Sequence, residues 1–343
     1  MMRLLFSDVS AGTRALLLVL AIALFAAPFF VGDYLLTILI LIFYFAYTGQ
    51  AWNVLTGFTG YLSLGHAIYV GLGAYTTAAL YVHFGIGPWV GLPTAVLICA
   101  ACGAIMGFLA FRFGVGGVYF AILTIAFCEF TRIGFDHLKW VGGSGGLFLP
   151  VANYAHNDLW NLRGSPTMFY YVMLIAAIVA LALCRIMMRT RIGYYWLAIR
   201  EDEQAAQALG IDTFRYKMLA VVISAAMTSF AGMFFAFYYN NLFPEQTLNI
   251  ARSIEITLGP FIGGVGTLIG PIVGAFVLTG LSETLNEVLA LLGIQTPGAK
   301  QVFYGFALLF VIVLMPHGIW PPLAKRLGLD KPTGRRAAKG AQR

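Results

Sequence analysis

An acidic residue inside a long apolar run is the first place to look for chemistry in this chain. Glu129 lies in such a run with Arg132 one turn later, Glu255 precedes a glycine-rich break, and Glu283 sits in the run after it. An ionisable group at membrane depth costs at least ~2.5 kcal/mol on insertion scales, so it faces protein or water. Each of the three has two readings: a charge compensated locally, as Glu129 and Arg132 do at i,i+3 spacing, or a polar contact along a path through the bilayer. Ser63 and His66 stand together in a glycine cluster, where His66 either touches whatever passes, orients unwound backbone, or hydrogen-bonds a neighbouring helix. His83, His137, His156 and His317 show no HExxH or other metal spacing. Cys99 and Cys102 form a CxxC without a second pair; like Cys128 and Cys184 they lie in apolar runs, where cysteine acts as a small hydrophobe. There is no nucleophile–base constellation. There is also no G-x-x-x-x-G-K-[ST] phosphate loop, since none of the six lysines follows a glycine. The reading is a non-enzyme that binds no metal and no cofactor of its own.

The elements that must hold these residues are set by composition. Sixty per cent of the 343 residues are hydrophobic and 10% are charged, against roughly 25% charged in an ordinary soluble domain. Crossing the hydrocarbon layer takes about 20 apolar residues per helix, and the runs here are long and unbroken, unlike the alternating strands of a barrel. The fold class is therefore all-α, a polytopic integral membrane protein. Ten segments can be marked, at 15–31, 33–50, 58–83, 88–111, 117–135, 168–188, 217–239, 254–267, 268–292 and 300–316. The first has the look of a secretory signal, but it is long for a signal core and more spans follow, so it is read as uncleaved.

Charge gives orientation. The net charge of +7 sits between and beyond the apolar runs, where it reports topology and not nucleic acid. Placing residues 1–14 in the cytoplasm puts 16 of the 21 basic residues on that side, leaving Arg132, Lys139, Arg163, Arg252 and Lys300 on or near the other. An even span count returns the basic tail 317–343 to the cytoplasm, near anionic headgroups. Within the membrane region 15–316, residues 136–167 form an external loop with Gly142-Gly143-Ser144-Gly145-Gly146, and residues 189–216 a charged cytoplasmic one.

Glycine, 39 residues in all, clusters twice. The first cluster runs from Gly57 through Gly60, Ser63, Gly65 and His66 to Gly73. The second runs from Gly259 through Gly263, Gly264, Gly266 and Gly270 to Gly274. They fall in the third and eighth segments, five helices apart, the pattern of two inverted five-helix halves each with an interrupted helix. The alternative is that glycine only lets helices approach closely. On the path reading, Ser63, Gly65, His66, Glu129, Glu255, Gly263, Gly264 and Gly266 line it.

In the 189–216 loop, Tyr194 to Leu209 has no proline or internal glycine, which favours one helix, and Gly210 is placed to end it. Such a helix suits either a lipid interface or a groove on a soluble partner. Here Gln204-Ala205-Ala206-x-x-x-Gly210 resembles the loop motif of ATP-binding-cassette importer permeases, usually written Glu-Ala-Ala, three residues, Gly; Gln204 departs from the usual Glu, and no Ile-x-Leu-Pro tail follows. Several further stretches closely resemble the branched-chain amino acid permeases of that superfamily. They are Gly60-x-x-Ser63-Leu64-Gly65-His66, Gly117-Val118-Tyr119-Phe120-Ala121, Gly142-Gly143-Ser144-x-Gly146, Arg189-Thr190-Arg191-x-Gly193, Arg200-Glu201-Asp202-Glu203, and Gly263-Gly264-x-Gly266-Thr267-x-x-Gly270-Pro271. The likeness covers about 33–316 and points to the larger of two paired permeases.

The resemblance implies a second, homologous permease, two cytoplasmic ATPase subunits that bind the ATP, and an external substrate-binding protein, in a bacterial-type inner membrane. It implies that Arg200, Glu201, Asp202, Glu203, Gln204, Ala205, Ala206 and Gly210 form the ATPase-coupling loop. Branched-chain amino acids are the implied substrate. Urea or a short-chain amide is the alternative within the superfamily, and an ion-coupled secondary transporter the alternative outside it.

Overall fold

The computed structural model describes residues 22–150, 157–291 and 318–326, with Val19 and isolated positions between 305 and 315. Residues 1–14, the start of the first run, His156, most of the tenth run, His317 and the tail beyond 326 lie outside the described residues. The helices are α1 (Asp33–Thr59), α2 (Ala67–Phe84), α3 (Pro88–Arg112), α4 (Val118–His137), α5 (Pro166–Met188), α6 (Arg191–Glu201), α7 (Glu203–Ala208), α8 (Thr213–Tyr239), α9 (Pro244–Thr247), α10 (Ile250–Gly263), α11 (Gly270–Leu291) and α12 (Trp320–Arg326). Among the described residues, α1, α3, α4, α5 and α8 are long and apolar enough to cross a bilayer. The chain is a polytopic helical membrane protein.

Local sequence sets the helix ends. Pro88 and Pro166 sit at the first turns of α3 and α5, where a missing N–H is harmless. Gly85 ends α2 in a left-handed conformation, its N–H and that of Ile86 closing on Tyr81 and Leu80. Asn249 and Asp212 cap α10 and α8 with their side chains. At the centre stand α1 and α8. α1 packs on α5, α8, α10 and α11, and α8 packs on α1, α2 and α3. The outer helices α3, α4 and α5 expose Leu97, Ile105, Ile122, Phe130 and Ile178, apolar surface that only lipid or another apolar chain covers.

The second expected run, 33–50, continues as helix to Thr59. Polar residues near its end are satisfied by other elements as described below. At the opposite end of the bundle from α6 and α7, residues 138–150 and 157–165 are pinned down. There β1 (Leu147–Phe148) pairs antiparallel with β2 (Asn241–Leu242). Arg163 is buried there, donating to Asn240 Oδ1 and lying 5.2 Å from the Tyr81 ring centroid.

Helices α10 and α11 meet backbone to backbone through Gly259, Gly263, Gly270 and Gly274; a Cβ on Gly274 would stand 2.9 Å from the Gly263 nitrogen. Overpacking of this kind costs about 1–3 kcal/mol. Gly274→Leu is therefore expected to lower the melting temperature of the detergent-solubilised protein by several degrees, read by thermal scanning; an unchanged midpoint would argue against the close approach.

Candidate functional site

Non-helical backbone is tolerated inside a membrane only where protein or a water-filled cavity satisfies it. Both glycine clusters contain such backbone, and side chains satisfy it. In the first, residues 60–66 separate α1 from α2. Thr56 Oγ1 donates to the Tyr61 carbonyl at 3.1 Å and accepts from the Ser63 N–H at 3.3 Å. Trp52 Nε1 donates to the Ser63 carbonyl at 2.8 Å, and Thr124 Oγ1 accepts from Leu64 at 3.0 Å. Ser253 Oγ of α10 accepts the first N–H of α2, from Ala67, at 2.9 Å.

His66 completes the same seam. It is fully buried, 3.0 Å from Ser63 Oγ through Nδ1 and 2.8 Å from Ser224 Oγ through Nε2. Ser224 spends its own proton on the Ala51 carbonyl at 2.7 Å, so a neutral His66 carries its hydrogen on Nε2 and accepts from Ser63. Ser63 and His66 thus hold α1, α2 and α8 together, the helix-bonding reading of the histidine.

The second cluster breaks the chain at 264–269, between α10 and α11. One face of α1 receives it. Asn53 accepts from the Gly266 N–H at 2.8 Å and donates to the Thr267 carbonyl at 3.0 Å; Gln50 donates to the Leu268 carbonyl. A Cβ on Gly57 would lie 2.8 Å from the Gly266 nitrogen. Each glycine cluster thus holds a non-helical connection between two helices, at 60–66 and at 264–269, and Gly57 in the last turn of α1 touches Gly266 directly.

Above this contact lie α6 and α7. The single helix expected over 194–210 is two helices. Asp202, in an extended conformation, breaks it and caps α7, accepting from Gln204 N at 2.9 Å and Ala205 N at 3.0 Å. Aspartate favours a cap over a helix interior because its carboxylate competes for backbone N–H groups. Gly210 ends α7 as expected, left-handed at φ +85°, with its N–H on Gln207 and that of Ile211 on Ala206.

Three anchors tie this pair to the bundle. Trp196 is fully buried, donates to the Tyr216 carbonyl at 2.9 Å and stacks on Phe58. Arg200 Nη1 donates to the Gly57 carbonyl at 2.6 Å, where the two glycine clusters meet. Glu203 sits in a polar knot: Lys217 Nζ at 2.5 Å and Thr213 Oγ1 at 3.1 Å on Oε1, and Tyr61 OH at 2.5 Å on Oε2. Lys217 also lies 4.9 Å over the Tyr61 and Phe111 rings. Burial pushes the Glu203 carboxyl up, but the hydrogen bonds from Lys217 and Tyr61, the Lys217 charge and Thr213 outweigh it and hold the group below the usual carboxylate range.

The outward face carries Glu201, Asp202, Gln204, Ala205, Ala208 and Leu209, the last 82% exposed. Ala206, central to the loop motif, points inward and is buried, so its side chain supports the fold of the loop and is not on its outer face.

The remaining expected residues scatter. Gly65 has no room for a side chain, lying against the Thr124 backbone. Glu129 pairs with Arg132, which also holds Asp136 at 2.8 Å; it lines neither of the two cavities described here. One of these, about 430 Å³, lies between α4, residues 138–150 and α9, lined by Arg132, Asp136, His137 and Glu245 among others. Glu255 pairs with Arg252 at 2.9 Å and lines the other. Gly263 and Gly264 form the end of α10, and Glu283 accepts from Tyr34 at 3.4 Å. Sequence reading missed Gln50, Asn53, Tyr61 and Lys217. Gln50 and Asn53 had a signal, two amides one turn apart in an otherwise apolar helix.

Comparison with known proteins agrees with this architecture. Residues 34–313 match the model of the family described as branched-chain amino acid transport system permease component. The high-affinity branched-chain amino acid transport system permease protein LivM of Escherichia coli K12 is 30% identical over 95% of this chain and 77% of its own length. LivH of the same system and organism is 30% identical over 46% of this chain and 49% of its own. The galactose/methyl galactoside import permease protein MglC of Haemophilus influenzae is 27% identical over 57% and 60%. No solved structure matches the chain.

Proposed function

This chain belongs to the family of branched-chain amino acid transport permease components, and from that premise we propose that it is a membrane subunit of an ATP-binding-cassette importer moving leucine, isoleucine and valine inward. It lies in the cell inner membrane with both termini and the 189–216 loop in the cytoplasm, a reading supported by the 16 basic residues on that side. A second, LivH-like permease completes the membrane unit. Two ATPase subunits bind and hydrolyse ATP, and an external binding protein delivers substrate. Arg200 to Gly210 are the docking element, and the glycine breaks are the part whose two arrangements the ATPases bias in alternating access.

The observation that carries this is the contact between α6–α7 and both glycine breaks. A soluble motor pressing on Leu209 and its neighbours would act through Arg200 on the last turn of α1, and through Glu203 on Tyr61, where the non-helical segment begins. In vesicles containing both permeases, the ATPases and the binding protein, leucine uptake is expected to require ATP; uptake on a proton or sodium gradient alone would overturn the proposal. Leu209→Asp, on the outward face, is expected to reduce ATP-driven uptake by about tenfold or more, the loss of one well-buried apolar anchor, with insertion and melting temperature unchanged. Full coupled uptake in that variant would remove this face from the docking surface.

A further inference from the structure

We infer that a cavity between α1, α8 and α10 is a transit site for a zwitterionic α-amino acid with a branched aliphatic side chain. The inference rests on the importer reading above and assigns it a place in the membrane. The cavity holds about 140 Å³, close to the roughly 150 Å³ of an apolar cavity that binds benzene, room for an aliphatic side chain. Leu41 and Phe45 of α1 and Phe234 of α8 form its apolar wall. Its polar rim carries opposite charges. Arg252 and Glu255, one turn apart on α10, lie 2.9 Å from each other, and the Arg252 guanidinium stands 4.9 Å from the Phe235 ring centroid.

Two polar atoms here lack partners. The Tyr44 hydroxyl and Arg252 Nε are buried, and neither has a hydrogen bond. Tyr44 itself is 3% exposed. Buried polar groups without partners are rare in native structures and point to an absent one. A bound amino acid supplies both kinds of partner. Its carboxylate takes hydrogen bonds from the guanidinium, and its ammonium donates to Glu255 and to the Tyr44 oxygen. An uncharged amide or a sugar brings neither a carboxylate for the guanidinium nor an ammonium for Glu255 and the Tyr44 oxygen. Besides α1, the lining of the cavity comes from the last turns of α8 and the first turns of α10, so the cavity sits toward the end of the bundle opposite α6 and α7. From Glu255, α10 leads straight down to the glycine break at 264 and so to the Arg200 contact.

The test uses the complete importer in vesicles, with the same leucine-loaded binding protein throughout. Arg252→Met keeps the stem over Phe235 and removes the charge; Glu255→Gln does the same for the ammonium partner. Each is expected to lower leucine uptake by about tenfold or more, the usual effect of deleting a charged hydrogen-bond partner, while ATP hydrolysis stimulated by the loaded binding protein persists. Wild-type uptake in both variants would overturn the site and leave the importer reading intact. No ATP-dependent uptake by the unmodified complex would overturn both. Leu41→Phe shortens the apolar end, and its readout is a ratio insensitive to how much protein folds. Uptake of leucine is expected to fall relative to valine by about threefold or more; an unchanged ratio would refute the site even if the charge variants fail to assemble.

Discussion

In the assembled importer, Lys217→Met is expected to lose most ATP-driven uptake, and adding Glu203→Gln to restore a large share of it. The lysine side chain is 7% exposed, and its ammonium holds Glu203 at 2.5 Å, with the Tyr61 hydroxyl 3.1 Å away. Removing it leaves a carboxylate whose remaining donors are neutral. Breaking a fully buried pair costs 3–5 kcal/mol; Glu203 keeps 28% of its side chain exposed, so about 2–3 kcal/mol is the reasonable scale. That is a shift of roughly 30- to 150-fold in how often α7 sits against Tyr61 and α8. The double variant removes the stranded charge, and a glutamine at 203 still accepts from Thr213 through its oxygen while its amide N–H donates to the Tyr61 hydroxyl oxygen. Acid gives a second readout. The folded Glu203 carboxyl lies below its unfolded value, so its stabilisation is fully present above the unfolded pKa of about 4.3 and fades as pH falls through the lower folded value. Protease protection of residues 191–210 is thus flat from pH 8 to 5 and falls at stronger acid in the wild type, with that step missing in Glu203→Gln. A double variant worse than Lys217→Met would show that the pair does not act as a unit.

Much of this was legible in the residues because membranes simplify the problem. Long apolar runs and basic loops gave the class, and the Gln204-Ala205-Ala206-x-x-x-Gly210 motif with its glycine-bearing companions gave the family. The likeness to LivM over 95% of the chain bears that out. The geometry was less legible wherever a long-range partner decides it. Asp202 carried a local signal, since it is a good cap followed by an acidic first turn, and the run of helix formers around it hid the break. Nothing near Gln50 or Asn53 says that they satisfy backbone more than 200 residues away. The role of Ser63 and His66 likewise depends on Ser224, brought to them only by folding. Glycine misleads in a different way: the same residue type serves close helix contact at Gly274 and a left-handed turn at Gly266, and the sequence does not distinguish them.

The junction at Gly266 gives the other large effect. Gly266→Val is expected to abolish transport while leaving ATPase subunits bound. The residue sits at φ +78°, where a β-branched side chain is strained, and its Cβ would stand 2.7 Å from the Gly57 carbonyl oxygen, an atom fixed in α1 that cannot step aside. Strain of about 1–3 kcal/mol from the backbone alone is joined by loss of the place where Arg200 reaches Gly57. Arg200→Met isolates that last contribution. It keeps a long stem across Gly60 and deletes only the donor that holds Gly57 at 2.6 Å. On the proposed docking at Leu209 and the outer face, which this variant leaves untouched, the ATPases are expected still to bind; what changes is the leucine carried per ATP hydrolysed. That ratio should drop by about fivefold or more in Arg200→Met, for a charged hydrogen bond to backbone, and to background in Gly266→Val. If both variants keep the wild-type ratio, force does not reach the path through this junction, and the polar knot at Glu203 must carry it alone.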